Sequence, residues 1–200
     1  MEIIKAGKLQ VPLYHGTSTL FIESIVKNGL GAVAPFTDWG MLSFAEDVYR
    51  LAEEHLKHTS LWSVESSLFK AMIVQYSGNM DFRHDKTYLT ASLMKACGYA
   101  ENDYGSELVT RVVVFLKRLL DYEQERHIGE KSKAFQYDIQ KKHPKHIAWK
   151  LLKARYCPVI IKVLNIAVDD LRLVTGEMRG TIETLRKYIL MNTVGCIYSR

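Results

Sequence analysis

The segment CPVIIKVLNIAV, at 157–168, is the feature that most restricts how this chain can fold. It is rich in β-branched apolar residues, which are typical of strands. A continuously apolar strand of this kind is buried by neighbours, so we expect it in the middle of a sheet. The rest of the sequence must therefore supply the partner strands and the helices that cover them.

Both kinds of element are predicted along the chain from hydrophobic periodicity and from turn residues. Further strands are predicted at 11–16, 87–90 (TYLT), 107–119 and 194–199 (VGCIYS). Helices are predicted from Ser18 or Thr19 to Asn28-Gly29, within 43–76, at 91–100, and over 117–153 with a break at Pro144. A loop is expected at 31–42. The pattern at 107–119 leaves a helix open as the alternative, and the segment at 181–192 fits a helix or a strand.

Length and composition favour one domain over residues 1–200 of a chain with 48% hydrophobic and 24% charged residues. Three cysteines without a CxxC pair argue against a disulfide framework or a structural zinc site. No signal peptide and no run of 18 apolar residues is found, so we expect a cytoplasmic protein that does not enter membranes. The net charge of +5 and the pI near 9.0 favour phosphate-rich partners.

Histidine pairs and a basic segment give two further hypotheses. His55 with His58, and His143 with His146, are spaced three apart, but no third ligand completes a metal site, so we interpret all four as surface histidines. The segment KKHPKH, at 141–146, continues into further lysines and forms a basic patch. Such a patch is typical either of nucleic-acid binding or of a solvated face.

Three short motifs occur in a fixed order. The first is YHGT followed by a helix that ends in NGL; the second is TYLTASLMKACGYA, in which Tyr88 and Tyr99 are eleven positions apart; the third is a glutamate near the last strands. This order resembles the ADP-ribosyltransferases of the His-Tyr-Glu type, which include diphtheria-toxin-like toxins and the poly(ADP-ribose) polymerases. The resemblance spans residues 11–200. It implies an α+β fold with a split mixed or antiparallel sheet as its core and with helical insertions.

The resemblance also implies a site for NAD as co-substrate. The cofactor-binding residues that it implies are His15, Gly16, Thr17, Tyr88, Thr90 and Tyr99. The imidazole of His15 would bind an adenosine ribose hydroxyl, and Gly16 would let the backbone approach the nicotinamide amide. Tyr88 and Tyr99 would stack on the two sides of the nicotinamide ring.

A catalytic glutamate completes the set that the resemblance implies, alongside His15 and Tyr88. Its carboxylate would bind the 2′-hydroxyl of the nicotinamide ribose and stabilise the oxocarbenium-like transition state. Two residues fit this position: Glu183, which precedes the sequence TLRKYILMN, and Glu177 in the polar sequence TGEMRG. We favour Glu183.

The function implied is mono-ADP-ribosylation, the transfer of a single ADP-ribose unit from NAD to a macromolecule, a nucleic acid or a protein, as expected of a toxin or antiphage effector with a neutralising partner. The alternative enzyme is an RNA 2′-phosphotransferase, which shares LYHGT and NGL but has a His-Leu-Ser type segment in place of TYLT. A third possibility is an inactive domain of the same fold that only binds nucleotide or RNA.

Overall fold

In the computed structural model of this chain, the described residues are 3–74, 76–77, 80–81, 87–101, 104–126, 131–173 and 196–199. They combine helices with small antiparallel sheets, which confirms the predicted α+β class. The strands are β1 (Ile4–Lys5), β2 (Lys8–Leu9), β3 (Leu13–Ser18), β4 (Tyr76–Ser77), β5 (Met80–Asp81), β6 (Thr87–Thr90), β7 (Pro158–Val163), β8 (Leu171–Leu173) and β9 (Cys196–Ser199). The helices are α1 (Thr19–Asn28), α2 (Pro35–Asp38), α3 (Met41–Leu56), α4 (Ser60–Val74), α5 (Leu93–Ala100), α6 (Glu107–Arg126), α7 (Lys131–Lys142) and α8 (Ala148–Leu151).

The chain divides into two compact units. Unit 1 comprises Met1–Val33, Lys86–Ser106 and Tyr156–Arg200. Unit 2 comprises Ala34–Asp85 and Glu107–Arg155. That the two behave as one domain over residues 1–200 stays a prediction.

A five-stranded antiparallel sheet with the order β7-β3-β6-β9-β8 forms the centre of unit 1. The small hairpin of β1 and β2 contributes to the core beneath one face of it. The side chains of that core are Ile3, Ile4, Leu9, Leu13, Leu89 and Leu171, each at most 8% exposed. Leu13 and Leu89 come from neighbouring strands, so the core covers the middle of the sheet.

Strand β7 lies at an edge among the described strands, where the sequence predicted the middle of the sheet. It pairs with β3 from Leu13 opposite Val163 to Ser18 opposite Pro158. Its residues alternate between exposed and half-buried. A proline near the end of a ladder suits an edge strand, because it has no N–H to give to a second neighbour. The same pairing carries β3 two residues past its predicted end at Gly16.

Helix α6 replaces the strand predicted at 107–119. The buried side chains of this segment are Leu108, Val109, Val112, Val113, Phe115, Leu116 and Leu119. This spacing of three and four places them on one helical face, which packs within unit 2. The intrinsic strand preference of its valines is therefore overridden by the burial pattern. The helical alternative is the correct one.

The other helices largely follow the sequence. α1 begins after Ser18 and ends at Gly29, whose φ of 94° is a conformation that glycine adopts without strain. α3 and α4 fill the predicted helical region, and α5 lies within 91–100. The predicted loop at 31–42 contains the short α2. No helix in the described part of the chain is both long and apolar enough to cross a bilayer.

Candidate functional site

The ladder between β3 and β6 in unit 1 is short, and we call the stretch of the two strands that lies beyond it the gap. The two strands are paired at one position, Tyr14 opposite Thr90. In an antiparallel ladder, alternate residues direct their backbone polar groups toward the same neighbour. Thr19 donates its N–H to the Cys157 carbonyl at 2.9 Å, on the β7 side. Odd-numbered residues of β3 therefore direct their backbone groups toward β7, and even-numbered residues direct theirs toward β6. The N–H and C=O of Gly16 thus face β6, beyond the point where the ladder stops.

The His15 side chain lies at this gap. Its Nδ1 is 2.8 Å from the Tyr88 carbonyl oxygen. A carbonyl can only accept, so Nδ1 carries a hydrogen and, in the neutral ring, Nε2 holds the lone pair. Burial lowers the pKa of His15 by more than the bond to the Tyr88 carbonyl raises it. The ring is therefore neutral at pH 7 and offers Nε2 as an acceptor.

Gly16 lets α5 approach β3 closely. A Cβ added at Gly16 would lie 2.1 Å from the Ala96 carbonyl oxygen, 2.7 Å from Ala100 N and 3.0 Å from Tyr99 Cβ. The resemblance assigned this glycine to clearance for nicotinamide. The space on the side where a Cβ would point is taken by α5, so a ligand can reach only the backbone edge of Gly16 that faces β6.

The two tyrosines of the second motif lie on the two elements around Gly16. Tyr88 is half-buried in β6 and belongs to the same face of the sheet as Thr90. Tyr99 is 42% exposed on α5, with the Lys95 ammonium 6.0 Å from its ring centroid. His15 contacts the backbone of Tyr88, and Gly16 contacts Tyr99. The structure thus brings four of the predicted residues together.

A compact turn fixes the spacing between these tyrosines. Thr90, 4% exposed, accepts a hydrogen bond at Oγ1 from Ser92 N at 3.1 Å. The Ser92 hydroxyl in turn accepts from Lys95 N at 3.3 Å and caps α5. The hydroxyl of Thr90 is thus used within the turn, and its predicted contact with NAD stays a prediction.

The segment 104–106 lies on the last residues of β3, which sequence reasoning missed. Thr17, 2% exposed, donates its hydroxyl to the Gly105 carbonyl at 3.3 Å, and Ser18 donates to the Tyr104 carbonyl at 2.9 Å. Gly105 has a φ of 67°, and a Cβ there would lie 2.2 Å from Ser18 N. The glycine in YGS was the one available signal for this contact. The Thr17 hydroxyl, like that of Thr90, is already hydrogen-bonded within the protein. Its contact with NAD stays a prediction.

Both glutamates proposed for catalysis, Glu177 and Glu183, lie outside the described residues. Within those residues no group of three or more His, Cys, Asp or Glu side chains is placed to hold a metal ion.

The histidines of unit 2 form structural contacts. His143 Nε2 donates to Asp47 at 2.7 Å, and His146 Nε2 lies 2.8 Å from the Trp39 carbonyl oxygen. His146 also stacks on Phe44, with ring centroids 4.0 Å apart. Both histidines are half-buried, as is His55, so the prediction that they lie at the surface was wrong for these three. His58 is exposed, as predicted.

Charge and burial shift two pKa values in this cluster. Burial raises the pKa of Asp47, but hydrogen bonds and charge from Lys142 and His143 lower it by more, to below its ordinary value. Burial lowers the pKa of His146, and its bond to the Trp39 carbonyl offsets this only in part. The cluster therefore places a carboxylate against Lys142 and His143, beside the neutral imidazole of His146.

Comparisons with protein-family models, with curated proteins and with solved structures found no match to this chain.

Proposed function

We propose that this protein is a mono-ADP-ribosyltransferase that cleaves NAD and transfers ADP-ribose to a macromolecule. The observation that carries the proposal is the neutral His15 ring at the gap between β3 and β6, hydrogen-bonded to the Tyr88 carbonyl. Gly16 and Tyr99 are in contact beside it. These are the residues on which the resemblance to the His-Tyr-Glu enzymes rests, and they come from segments more than 70 positions apart.

The proposed reaction breaks the bond between nicotinamide and C1′ of its ribose and forms a bond from C1′ to the acceptor nucleophile. Nicotinamide is the leaving group, and the acceptor proton passes to a carboxylate, Glu183 or Glu177. A ribose hydroxyl would donate to Nε2 of His15, since Nδ1 is already bonded. The N–H and C=O of Gly16 would hold the nicotinamide amide.

Stacking is the task proposed for Tyr88 and Tyr99. Aromatic pairs contribute about 0.5–1.5 kcal/mol each beyond burial, so two such contacts hold a flat ring firmly without charge. The partial exposure of Tyr99 supports this, because a ring committed to the core would be covered. The acceptor, a nucleic acid or a protein, the cytoplasmic site of action and a neutralising partner belong to the same proposal.

Release of nicotinamide from NAD tests the proposal directly. The protein is incubated with NAD alone and with total RNA, DNA or cell lysate, and nicotinamide is quantified. We expect His15→Ala and Tyr88→Ala to lower the rate by about 100-fold or more, as is typical when a positioning or stabilising group is removed. Tyr88→Phe, which keeps the ring, should retain most of it. His58→Ala, a change at an exposed histidine of unit 2, is the matched control.

The glutamate is identified by replacing Glu183 and Glu177 with Gln in turn. One variant should lose transfer while its affinity for NAD, measured by calorimetry, stays within about threefold of the wild type, because a lost transition-state contact lowers turnover more than ground-state binding. Wild-type activity in both variants would show that neither carboxylate takes part in the transfer.

Other outcomes would replace the assignment. Wild-type rates in His15→Ala and Tyr88→Ala would show that this site is not where NAD reacts. Nicotinamide release only with RNA that carries a 2′-phosphate would identify a 2′-phosphotransferase. NAD binding without release under any condition would identify a binding domain.

A further inference from the structure

The segment 141–155, KKHPKHIAWKLLKAR, carries six lysine or arginine residues and no aspartate or glutamate. All six basic residues are exposed in unit 2: Lys141, Lys142, Lys145, Lys150, Lys153 and Arg155. We call this segment the basic surface. The six positive charges of this segment exceed the net charge of the whole chain, +5. Positive charge is therefore concentrated in this segment and is not spread evenly along the chain.

The backbone folds the basic surface into a short series of tight turns. Lys150 N bonds to the Ile147 carbonyl at 2.9 Å, and Lys153 N bonds to the Lys150 carbonyl at 3.1 Å. Ala148 and Leu151 between them are fully buried. Because the apolar side chains anchor the segment, the cations are held outward and close together along the chain.

Only one of these cations is compensated by a carboxylate in the described part of the chain. Lys142 donates to Asp47 at 2.6 Å, and the same carboxylate also binds His143. The next acidic residue, Asp138, is bonded to His55 at 3.2 Å. The other five basic residues have no ion pair among the described residues. In the part of the chain that the structure describes, this leaves five positive charges without a carboxylate partner on fifteen residues.

An exposed aromatic side chain stands on the helix that leads into the basic surface. Tyr137 on α7 is 62% exposed, and the Lys141 ammonium lies 5.7 Å from its ring centroid. Lys133, one turn earlier at i−4, is also exposed. The outer face of α7 therefore presents a cation, an aromatic ring and a second cation at one-turn intervals.

We propose that the basic surface together with Tyr137 binds single-stranded nucleic acid. Lysine and arginine would contact successive phosphates, and one base would stack on the Tyr137 ring, which is how sequence-tolerant strand binding is built. An anionic membrane is the weaker partner, because surface helices that insert into lipid also present an apolar face. Here the apolar side chains Ile139, Ala148 and Leu151 are wholly buried.

This surface lies entirely within unit 2 and does not depend on NAD chemistry. Its test is direct binding, measured by fluorescence anisotropy with a labelled 12-nucleotide RNA across a salt series and without NAD. The test variant replaces four uncompensated cations with glutamine: Lys145, Lys150, Lys153 and Arg155. The matched control makes the same change in charge at four exposed lysines of unit 1: Lys5, Lys8, Lys27 and Lys162.

In the test variant, the slope of log K against log salt should fall by about 3, since each phosphate contact on a single strand contributes about 0.7. The control should keep the wild-type slope to within about 1. Tyr137→Ala should weaken binding of the single strand about tenfold and leave binding of a 12-base-pair duplex unchanged, because paired bases cannot reach the ring. Tyr137→Phe should bind like the wild type.

Three results would overturn the proposal. One is an equal loss in the control variant, which would show that overall charge and not this surface attracts RNA. Another is equal sensitivity of single strand and duplex to Tyr137→Ala, which would remove the stacking role. The third is binding of polyglutamate or of phosphatidylserine vesicles as tight as that of the RNA strand, which would assign the surface to an acidic protein or a membrane.

Discussion

Replacing Gly16 with alanine tests how closely α5 packs on β3. The added Cβ would lie 2.1 Å from the Ala96 carbonyl oxygen and 2.7 Å from Ala100 N. Both are backbone atoms of a regular helix, so no side chain can rotate away to make room. Either the helix must move off the strand or the strand must bend, and both disturb the contact that brings Tyr99 next to β3.

The expected loss of folding stability in Gly16→Ala follows from the cost of overpacking. Inserting a methyl group into a filled site typically costs about 1–3 kcal/mol, and backbone neighbours place Gly16→Ala at about 3 kcal/mol. Without the clash the same change would stabilise the protein by about 0.4–1 kcal/mol, because alanine has fewer unfolded conformations than glycine. The sign of the effect therefore decides between close packing and open space at this position.

Thermal unfolding measured by circular dichroism gives the result. At about 2–4 °C per kcal/mol for a chain of this size, Gly16→Ala should lower Tm by about 6–12 °C. Gly98→Ala is the matched control, since Gly98 lies in α5, the helix that packs on Gly16, and an added Cβ there meets nothing within 4 Å. That control should raise stability by about 0.5–1 kcal/mol. A Tm for Gly16→Ala at or above the wild-type value would refute the packing.

Three further changes have expected outcomes. Gly105→Ala should destabilise the protein by about 2–4 kcal/mol in urea unfolding, because it combines a positive φ with a clash against Ser18 N. Asp47→Asn should cost about 1–2 kcal/mol in the same assay, because it weakens charged hydrogen bonds, one of them to the half-exposed Lys142. Lowering the pH should destabilise the protein through His146. Its folded pKa lies below the ordinary 6.5, so its contribution is complete above pH 6.5 and is lost as the pH falls from there toward the lower folded pKa. In His146→Gln the loss of stability between pH 7.5 and 5 should be smaller than in the wild type.

Matched controls separate these effects from general damage. Gly7→Ala shares the positive φ, at 72°, but its Cβ would meet nothing within 4 Å, so a cost equal to that at Gly105 would contradict the clash. Asp121→Asn changes an exposed carboxylate and should leave the free energy of unfolding unchanged. A loss as large as that in Asp47→Asn would show that the hydrogen bonds of Asp47 are not the cause. His58→Gln should keep the full pH dependence, and a reduced dependence there would point away from His146.

Much of unit 1 could be predicted from local sequence. TYLT is rich in residues that favour strands, and the helix after it and the helix ending at Gly29 each combine a clear period with a cap or a glycine. The order of the strands in the sheet could not be predicted from local sequence, because it depends on pairing between distant segments. The apolar residues at 157–168 predict a strand correctly, but its edge position is set by pairing with β3 alone among the described strands.

The error at 107–119 has a specific cause. Three successive valines at 112–114 favour a strand by intrinsic preference, which is worth only about 1 kcal/mol across the whole range of residues. Burying residues at helical spacing along α6 removes seven large or medium apolar side chains from water, each worth about 1.5–3 kcal/mol. Packing therefore decides the conformation.

For the candidate site, the sequence named residues that lie close together in the structure, but it did not predict how they meet. The link between His15 and Tyr88 runs through a backbone carbonyl, which no side-chain pattern encodes. Gly16 was predicted to give clearance for nicotinamide, and the space beside it is filled by α5. Gly105 was missed because a lone glycine between two helices is an ordinary turn signal until its neighbour in space is known.

The strand order of unit 1 has a consequence for how the protein is made. Strand β9 is hydrogen-bonded between β6 and β8, although it is the last described strand of the chain. During synthesis, β6 leaves the ribosome more than one hundred residues before its partner β9. The last residue of unit 2 is Arg155, so all of its residues are synthesised before β8 and β9. A nascent chain should therefore contain every residue of unit 2 while the sheet around the proposed NAD site still lacks β9.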